Sequence, residues 1–251
     1  MSNNDALIRP GDILTAIALL SRLPVRADFT RGARAAWAYP LAGVAIAAIA
    51  AAPTAGALAL GLAPSLAALI WLSASVVLCG AMHEDGLADC ADGFWGGWEP
   101  ARRLEIMKDS HIGAYGVIAM CLSLAARWGT LTLILSSQNW LWGLIAIALL
   151  SRATMPVLMS ALPNARNTGL SQSQGRPQRA TATLAAAVAV LCALVLTGLS
   201  GLWLATLAGL TAVTCAAIAR NKIGGQTGDV LGATQQITEV TLLFALTVFS
   251  G

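Results

Sequence analysis

The chain has 251 residues, of which 57% are hydrophobic and only 11% are charged, whereas soluble domains average about 25% charged residues. So apolar a chain cannot cover a soluble globule with polar groups, and disorder would need the opposite composition. A net charge of +3, with basic residues not gathered into one patch, also speaks against nucleic acid as a partner. What remains is an all-α, polytopic membrane helix bundle forming a single domain, and the length suffices for six or seven spans of about 20 residues.

The polar start, Met1 to Pro10, lacks the basic-then-apolar layout of a cleaved signal peptide. The apolar piece from Ile13 to Leu23 is too short to cross a bilayer and predicts a helix at the interface or packed beneath the bundle. Seven longer apolar stretches follow, at about 38–60, 62–82, 113–135, 139–161, 181–199, 201–219 and 230–249. Their Ala, Leu and Gly content favours close helix approach in lipid. Cys79, Cys90, Cys121, Cys192 and Cys215 are scattered and form no C-x-x-C, so neither a disulfide framework nor a zinc site is indicated.

Thirteen of the fifteen Lys and Arg fall in four segments: Arg9 to Arg34, Arg102 to Lys108, Arg166 to Arg179, and Arg220 with Lys222. The alternate connections, around 61–65, 136–140 and 198–202, carry no charge. Seven spans would put all four segments on one face, which the positive-inside rule makes cytoplasmic, with the N-terminus inside. A catalytic segment at about 83–112 and a second site loop at about 220–229 would open to that face.

Seven of the twelve acids sit within residues 84–109. Asp85, Asp89 and Asp92 stand at i, i+4 and i+7 and share one helical face. Stacked carboxylates repel unless a cation lies between them, and an all-oxygen set suits Mg²⁺ or Mn²⁺. The competing reading is a solvated acidic helix face; interleaving with Gly86, Leu87, Ala88 and Gly93 favours the metal. Glu84 lies off the shared face as a bystander, and His83 reads as an interfacial hydrogen-bonding residue. Further on, Glu105 and Asp109 are again i, i+4, while Arg102 and Lys108 offer cations to an anionic substrate or simply lace an amphipathic linker.

G-G-Q-T-G-D at Gly224 to Asp229 predicts an anion-binding concavity of backbone N–H groups ahead of the last span. Asp229 could equally be the N-cap of that span. Arg127, Arg152 and Glu239 lie inside spans, where burying a charge costs at least about 2.5–3.5 kcal/mol, so each needs a partner or a wet cavity. Arg127 and Arg152 either pair with Glu239 or reach a phosphate, and Gln235, Gln236 and Glu239 give the last span a polar strip. With no Ser-His or Cys-His pair in the cluster, the residues describe a metal-dependent phosphotransferase working by direct transfer.

Several motifs resemble the cobalamin synthase family: H-x-D-G-L-A-D-x-x-D-G at His83 to Gly93, L-E-I-M-K-D-S-x-x-G-x-x-G at Leu104 to Gly116, and Ser151–Arg152. Gly224 to Asp229, Ser21 to Val25, Tyr39 to Gly43 and Gly169–Leu170 also fit. The resemblance runs nearly end to end. It implies an enzyme of the bacterial inner membrane that uses Mg²⁺ to join adenosylcobinamide-GDP to α-ribazole or its 5′-phosphate, with release of GMP. On this chain it implies Asp85, Asp89 and Asp92 as metal ligands and Asp109 as a further ligand or base. Arg102, Lys108, Arg152, Gly224, Gly225, Gln226 and Asp229 would hold substrate. The His-Glu at 83–84, where the family often has an apolar residue before Asp, weakens any role for Glu84.

A CDP-alcohol phosphotransferase would carry Ala-Arg after D-G-x-x, but here Ala88 precedes Asp89. A cation-coupled transporter would need acids buried within spans, and only Glu239 meets that condition. The bilayer is the expected surrounding, and homo-oligomers are left open.

Overall fold

The computed structural model describes residues 6–249, so the polar start at 1–5 lies outside the described residues. Among the described residues there are eleven helices and no strand, only an isolated bridge between Asn164 and Gln226. They are α1 (Gly11–Leu20), α2 (Tyr39–Ala59), α3 (Pro64–Cys79), α4 (Met82–Gly96), α5 (Pro100–Ile106) and α6 (Ala114–Leu135). Then come α7 (Trp140–Ala161), α8 (Leu170–Gln174), α9 (Arg179–Thr197), α10 (Ser200–Ile223) and α11 (Gly228–Phe249). The protein is an all-α, multi-pass membrane bundle.

Each of the seven apolar stretches is a helix, but the number of spans needs correction. Five helices are long and apolar enough to cross a membrane: α2 with the 3₁₀ stretch before it, α6, α7, α9 and α10. A sixth span exists only if α3, 16 residues long, is joined to α4 across an 84° bend. The bend is made by two consecutive left-handed residues, Gly80 at φ 62° and Ala81 at φ 55°. Arg22 secures it, donating its N–H to the Leu78 carbonyl at 2.7 Å and packing its side chain where a Cβ of Gly80 would stand. The seventh stretch, α11, is long enough but carries Thr234, Gln235, Gln236 and Thr238, all buried against the protein. Its polar strip is satisfied by neighbouring helices, as a polar group at membrane depth requires.

Helix α7 is the axis of the bundle, buried along most of its length from Gly143 to Met159. It packs against α2, α9, α10 and α11. Lipid is as apolar as leucine, so close contact rather than apolar burial holds such helices together. The sequence supplies the small residues for it: Ala182, Ala185, Ala189 and Ala193 form the buried stripe of α9. Gly43 of α2 lies against the Ala148 carbonyl of α7, where a Cβ would not fit.

The ionisable residues within the bundle form one network. Arg127 of α6 donates to Glu84 of α4 at 2.7 Å and pairs with Glu239 of α11 at 3.1 Å. It also donates to the Gln236 side-chain oxygen at 3.0 Å, and Gln235 donates to Glu239 at 2.6 Å. The expected Arg127–Glu239 pairing is present; Glu84, read as a bystander, is its strongest partner. Arg152 donates to the Ala148 carbonyl and to the Cys79 sulfur, each at 3.4 Å. It lines a polar cavity of about 30 Å³ with Glu84, Arg127 and Glu239, room for about one water. Arg127 thus pairs with both glutamates, and Arg152 lies beside them on the same cavity wall.

Asp12 clamps α1 onto the segment before α2: it accepts from Arg31 at 2.7 Å and from the Trp37 indole at 2.7 Å. Arg127→Met would leave Glu84 and Glu239 facing each other unpaired. Breaking a buried pair this way costs about 3–5 kcal/mol, and thermal unfolding in detergent should show a clearly lowered midpoint.

Candidate active site

Two glycines set the site. A Cβ on Gly86 of α4 would stand 2.8 Å from the Asp229 carbonyl, and one on Gly232 of α11 would stand 3.2 Å from the His83 Cα. The two helices therefore cross almost backbone to backbone. That contact carries the acidic face of α4 up to the first turn of α11. Asp85 is exposed, Asp89 half-buried and Asp92 buried, and Asp89 sits in the field of Asp229, Asp85 and Asp92, opposed by Arg166.

The three carboxylates predicted to act together do different things. Asp92 accepts the backbone N–H groups of Gly113 at 2.8 Å and Gly116 at 2.9 Å, so it caps the start of α6. Side chains at either glycine would overlap that carboxylate, which explains the G-x-x-G at this point of the chain. Asp85 and Asp89 carry no hydrogen bond or ion pair among the described residues. Asp229 accepts from Arg166 at 2.5 Å and from the Thr227 hydroxyl at 3.1 Å. It is not the N-cap of α11: Thr227 takes that part, accepting the Val230 N–H at 3.3 Å.

The glycine-rich loop works as a clasp, with two of its N–H groups bonded to protein carbonyls. Its Gly224 N–H is spent on the Arg220 carbonyl at 3.0 Å and its Gln226 N–H on the Pro163 carbonyl at 2.8 Å. Gly224 is left-handed at φ 77°, where it ends α10. Gly225 lets the loop touch Pro163, and Ala165 donates back to the Gln226 carbonyl at 2.9 Å. The Gln226 side chain, buried, accepts from Ser171 at 2.7 Å and donates to Asn164. Gln226 thus holds protein, where substrate was expected.

Other expected substrate ligands lie at the surface. Arg102 forms an exposed pair with Glu105 at 3.0 Å, and Lys108 is exposed. Asp109 is exposed and bonded to the His111 ring at 2.7 Å. The His111 N–H and ring hold its carboxyl below the usual range, which makes it a weak base. Arg152 belongs to the polar core described above. His83, expected at the interface, is buried between that core cavity and the site cleft.

Sequence reasoning missed Arg166, which it counted only among the charges that orient the chain. The available signal was its place between two recognised motifs, Ser151–Arg152 and Gly169–Leu170. Asp85, Arg166 and Asp229 line the polar side of a cleft of about 140 Å³, and Tyr39, Met155 and Met159 its apolar side. A second cavity of about 400 Å³ adjoins it, sharing Leu19, Met82, Leu170 and Gln174.

The oxygen-only donor set has the chemistry of a hard divalent cation site. Among the described residues, however, no three His, Cys, Asp or Glu stand together ready to hold a metal ion. Asp92 is committed to backbone N–H groups and Asp229 to Arg166, so the free donors are Asp85 and Asp89.

A helical membrane bundle with an acidic, half-apolar cleft at one end is the build of a membrane-embedded transferase. A family profile for cobalamin-5-phosphate synthase matches residues 12–247, and the chain belongs to that family of cobalamin-biosynthesis transferases. Among similar proteins, the adenosylcobinamide-GDP ribazoletransferase of Sinorhizobium medicae is 44% identical over 94% of this chain and 95% of its own length. That of Mesorhizobium japonicum is 41% identical over 94% and 93%, and that of Azorhizobium caulinodans 42% identical over 95% and 96%. No solved structure matches the chain.

Gly86→Ala tests the crossing directly. Pushing α4 off α11 should lower transferase turnover by about a hundredfold, the usual consequence of displacing catalytic groups by an ångström. Protein yield in the membrane fraction should change far less.

Proposed function

We propose that the protein joins adenosylcobinamide-GDP to α-ribazole, or to α-ribazole 5′-phosphate, giving the complete corrinoid or its 5′-phosphate and GMP. The ribazole hydroxyl attacks the cobinamide-proximal phosphorus; that P–O bond forms as the P–O bond to GMP breaks, the bridging oxygen leaves with GMP, and the hydroxyl proton passes to water at the open side of the cleft. The reading rests on one observation above all: the free carboxylate of Asp85, the Asp229–Arg166 pair and an apolar wall face one cleft, with Asp89 in the field of both acids. The named activity of the relatives agrees with it.

Asp85 and Asp89 would hold Mg²⁺, completed by Asp92 as its cap loosens or by Asp229 as it leaves Arg166. When bound, the cation neutralises the diphosphate and stabilises the departing phosphate. The chain's own residues do the rest. Tyr39, Met155 and Met159 give a flat aromatic base an apolar wall, and the tight α4–α11 contact fixes the carboxylates relative to it. We assign the cleft to the cytoplasmic side of a bacterial inner membrane, because hydrogen bonds gather the basic segments at that end. Arg103 donates to the Lys222 carbonyl at 2.8 Å and Ala165 to that of Gln226. A cation-coupled transporter is disfavoured because Glu84 and Glu239, two acids of the polar core, are both paired with Arg127.

Purified protein in liposomes should release GMP from adenosylcobinamide-GDP only when α-ribazole and Mg²⁺ are both present, and chelation should stop it. Absence of GMP release would overturn the reading. Asp89→Asn should cut the rate by at least about a hundredfold, while Asp109→Asn, exposed and bonded to His111 outside the cleft lining, should keep most of it.

A further inference from the structure

Arg166 is bonded on one side only. Its Nη2 donates to Asp229 at 2.5 Å, while its Nη1 is buried with no hydrogen-bond partner among the described residues. A buried charged donor left unbonded is costly, and the chain maintains this one on the wall of the cleft, beside Asp85 and Asp229. The position is built, not incidental. Ala165, its immediate neighbour, is fastened to Gln226, Gln226 to Pro163, Asn164 and Ser171, and Gly225 gives up its side chain to let the two strands of loop meet. The glycine-rich motif, two of whose N–H groups are spent on protein carbonyls, thus delivers a guanidinium to the α4–α11 crossing. A guanidinium presents a planar fork of donors that fits phosphate oxygens in pairs. It also supplies the positive charge that a carboxylate cluster needs before any cation arrives.

Resting on the function proposed above, we propose that Arg166 is a phosphate-binding residue of this site that keeps the place of the divalent cation until nucleotide and metal arrive. Asp229 would hold a bound cation in place of its bond to the arginine, which would free Nη2 as well. The guanidinium, its Nη1 already unbonded, then closes on the diphosphate of the nucleotide substrate. Arg166 is therefore a competitor of the metal and an ally of the nucleotide, two effects of opposite sign.

Equilibrium binding to the full-length protein in detergent reads both signs without turnover. Mn²⁺ binding, followed by loss of the free-ion electron paramagnetic resonance signal, should be several-fold tighter in Arg166→Ala than in the native protein. Binding of GDP at saturating Mg²⁺, measured by calorimetry, should be weaker by roughly tenfold or more, the worth of a charge-assisted contact. Arg166→Lys, which keeps the charge but loses the fork, should leave Mn²⁺ binding near native and still weaken GDP; it also serves if the alanine variant does not fold. A merely structural arginine would weaken both ligands together, and that result overturns the proposal. So does GDP binding unchanged in either variant. If the native protein binds neither Mn²⁺ nor GDP, the metal-dependent reading of the site falls with it; if it binds both and only the variants fail to differ, the assignment of Arg166 alone falls.

Discussion

The contact of α4 with α11 at Gly86 and Gly232 is the constraint on which the rest depends. Two helices that meet almost backbone to backbone leave no freedom in the relative height of their side chains. On one side of the contact, Glu84 meets Gln236 and, through Arg127, Glu239. On the other, Asp85 and Asp89 meet the first turn of α11, where Asp229 and Arg166 stand. His83 lies between, lining both the polar core cavity and the cleft.

The crossing divides the acids into two electrostatic regimes. Inside the bundle, where unpaired charge is expensive, two arginines accompany two glutamates in a closed network. At the end of the bundle that gathers the basic loops, several carboxylates share one arginine. Uncompensated negative charge is tolerable there because water reaches Asp85, and it leaves the cluster with an affinity for a further positive charge. The same helix therefore contributes to a structural ion network with one residue and to a reactive cleft with the next.

Much of this was legible from the chain. All seven apolar stretches are helices, and the buried Arg127 does find Glu239, but the break expected after residue 82 falls at Gly80 and Ala81. The failures share a physical origin. Glu84 looked idle because helical spacing turns it away from Asp85, Asp89 and Asp92, yet that direction faces Arg127, 43 residues later. Asp92 was read only as a third metal ligand because it shares their face, and nothing in the sequence signals that the start of α6 folds over that end and donates two N–H groups to its carboxylate. The loop at Gly224 looked like an anion nest because nothing in its six residues reveals that Pro163 and Asn164 run alongside it.

Sequence by itself determined the class of protein, the approximate places of its long apolar helices and the clustering of its acids, since hydropathy, helical period and charge count are local properties of a chain. Tertiary structure decided what each polar side chain is for. Asp92 became a cap, Gln226 a clasp, Glu84 an ion-pair partner and Arg166 a cation at the site, because each role depends on a group that reaches it from another helix or loop. The number of spans was decided in the same way: α11 can hold its polar strip within the bundle because α4, α6 and α7 cover it, and no window of hydropathy contains that information.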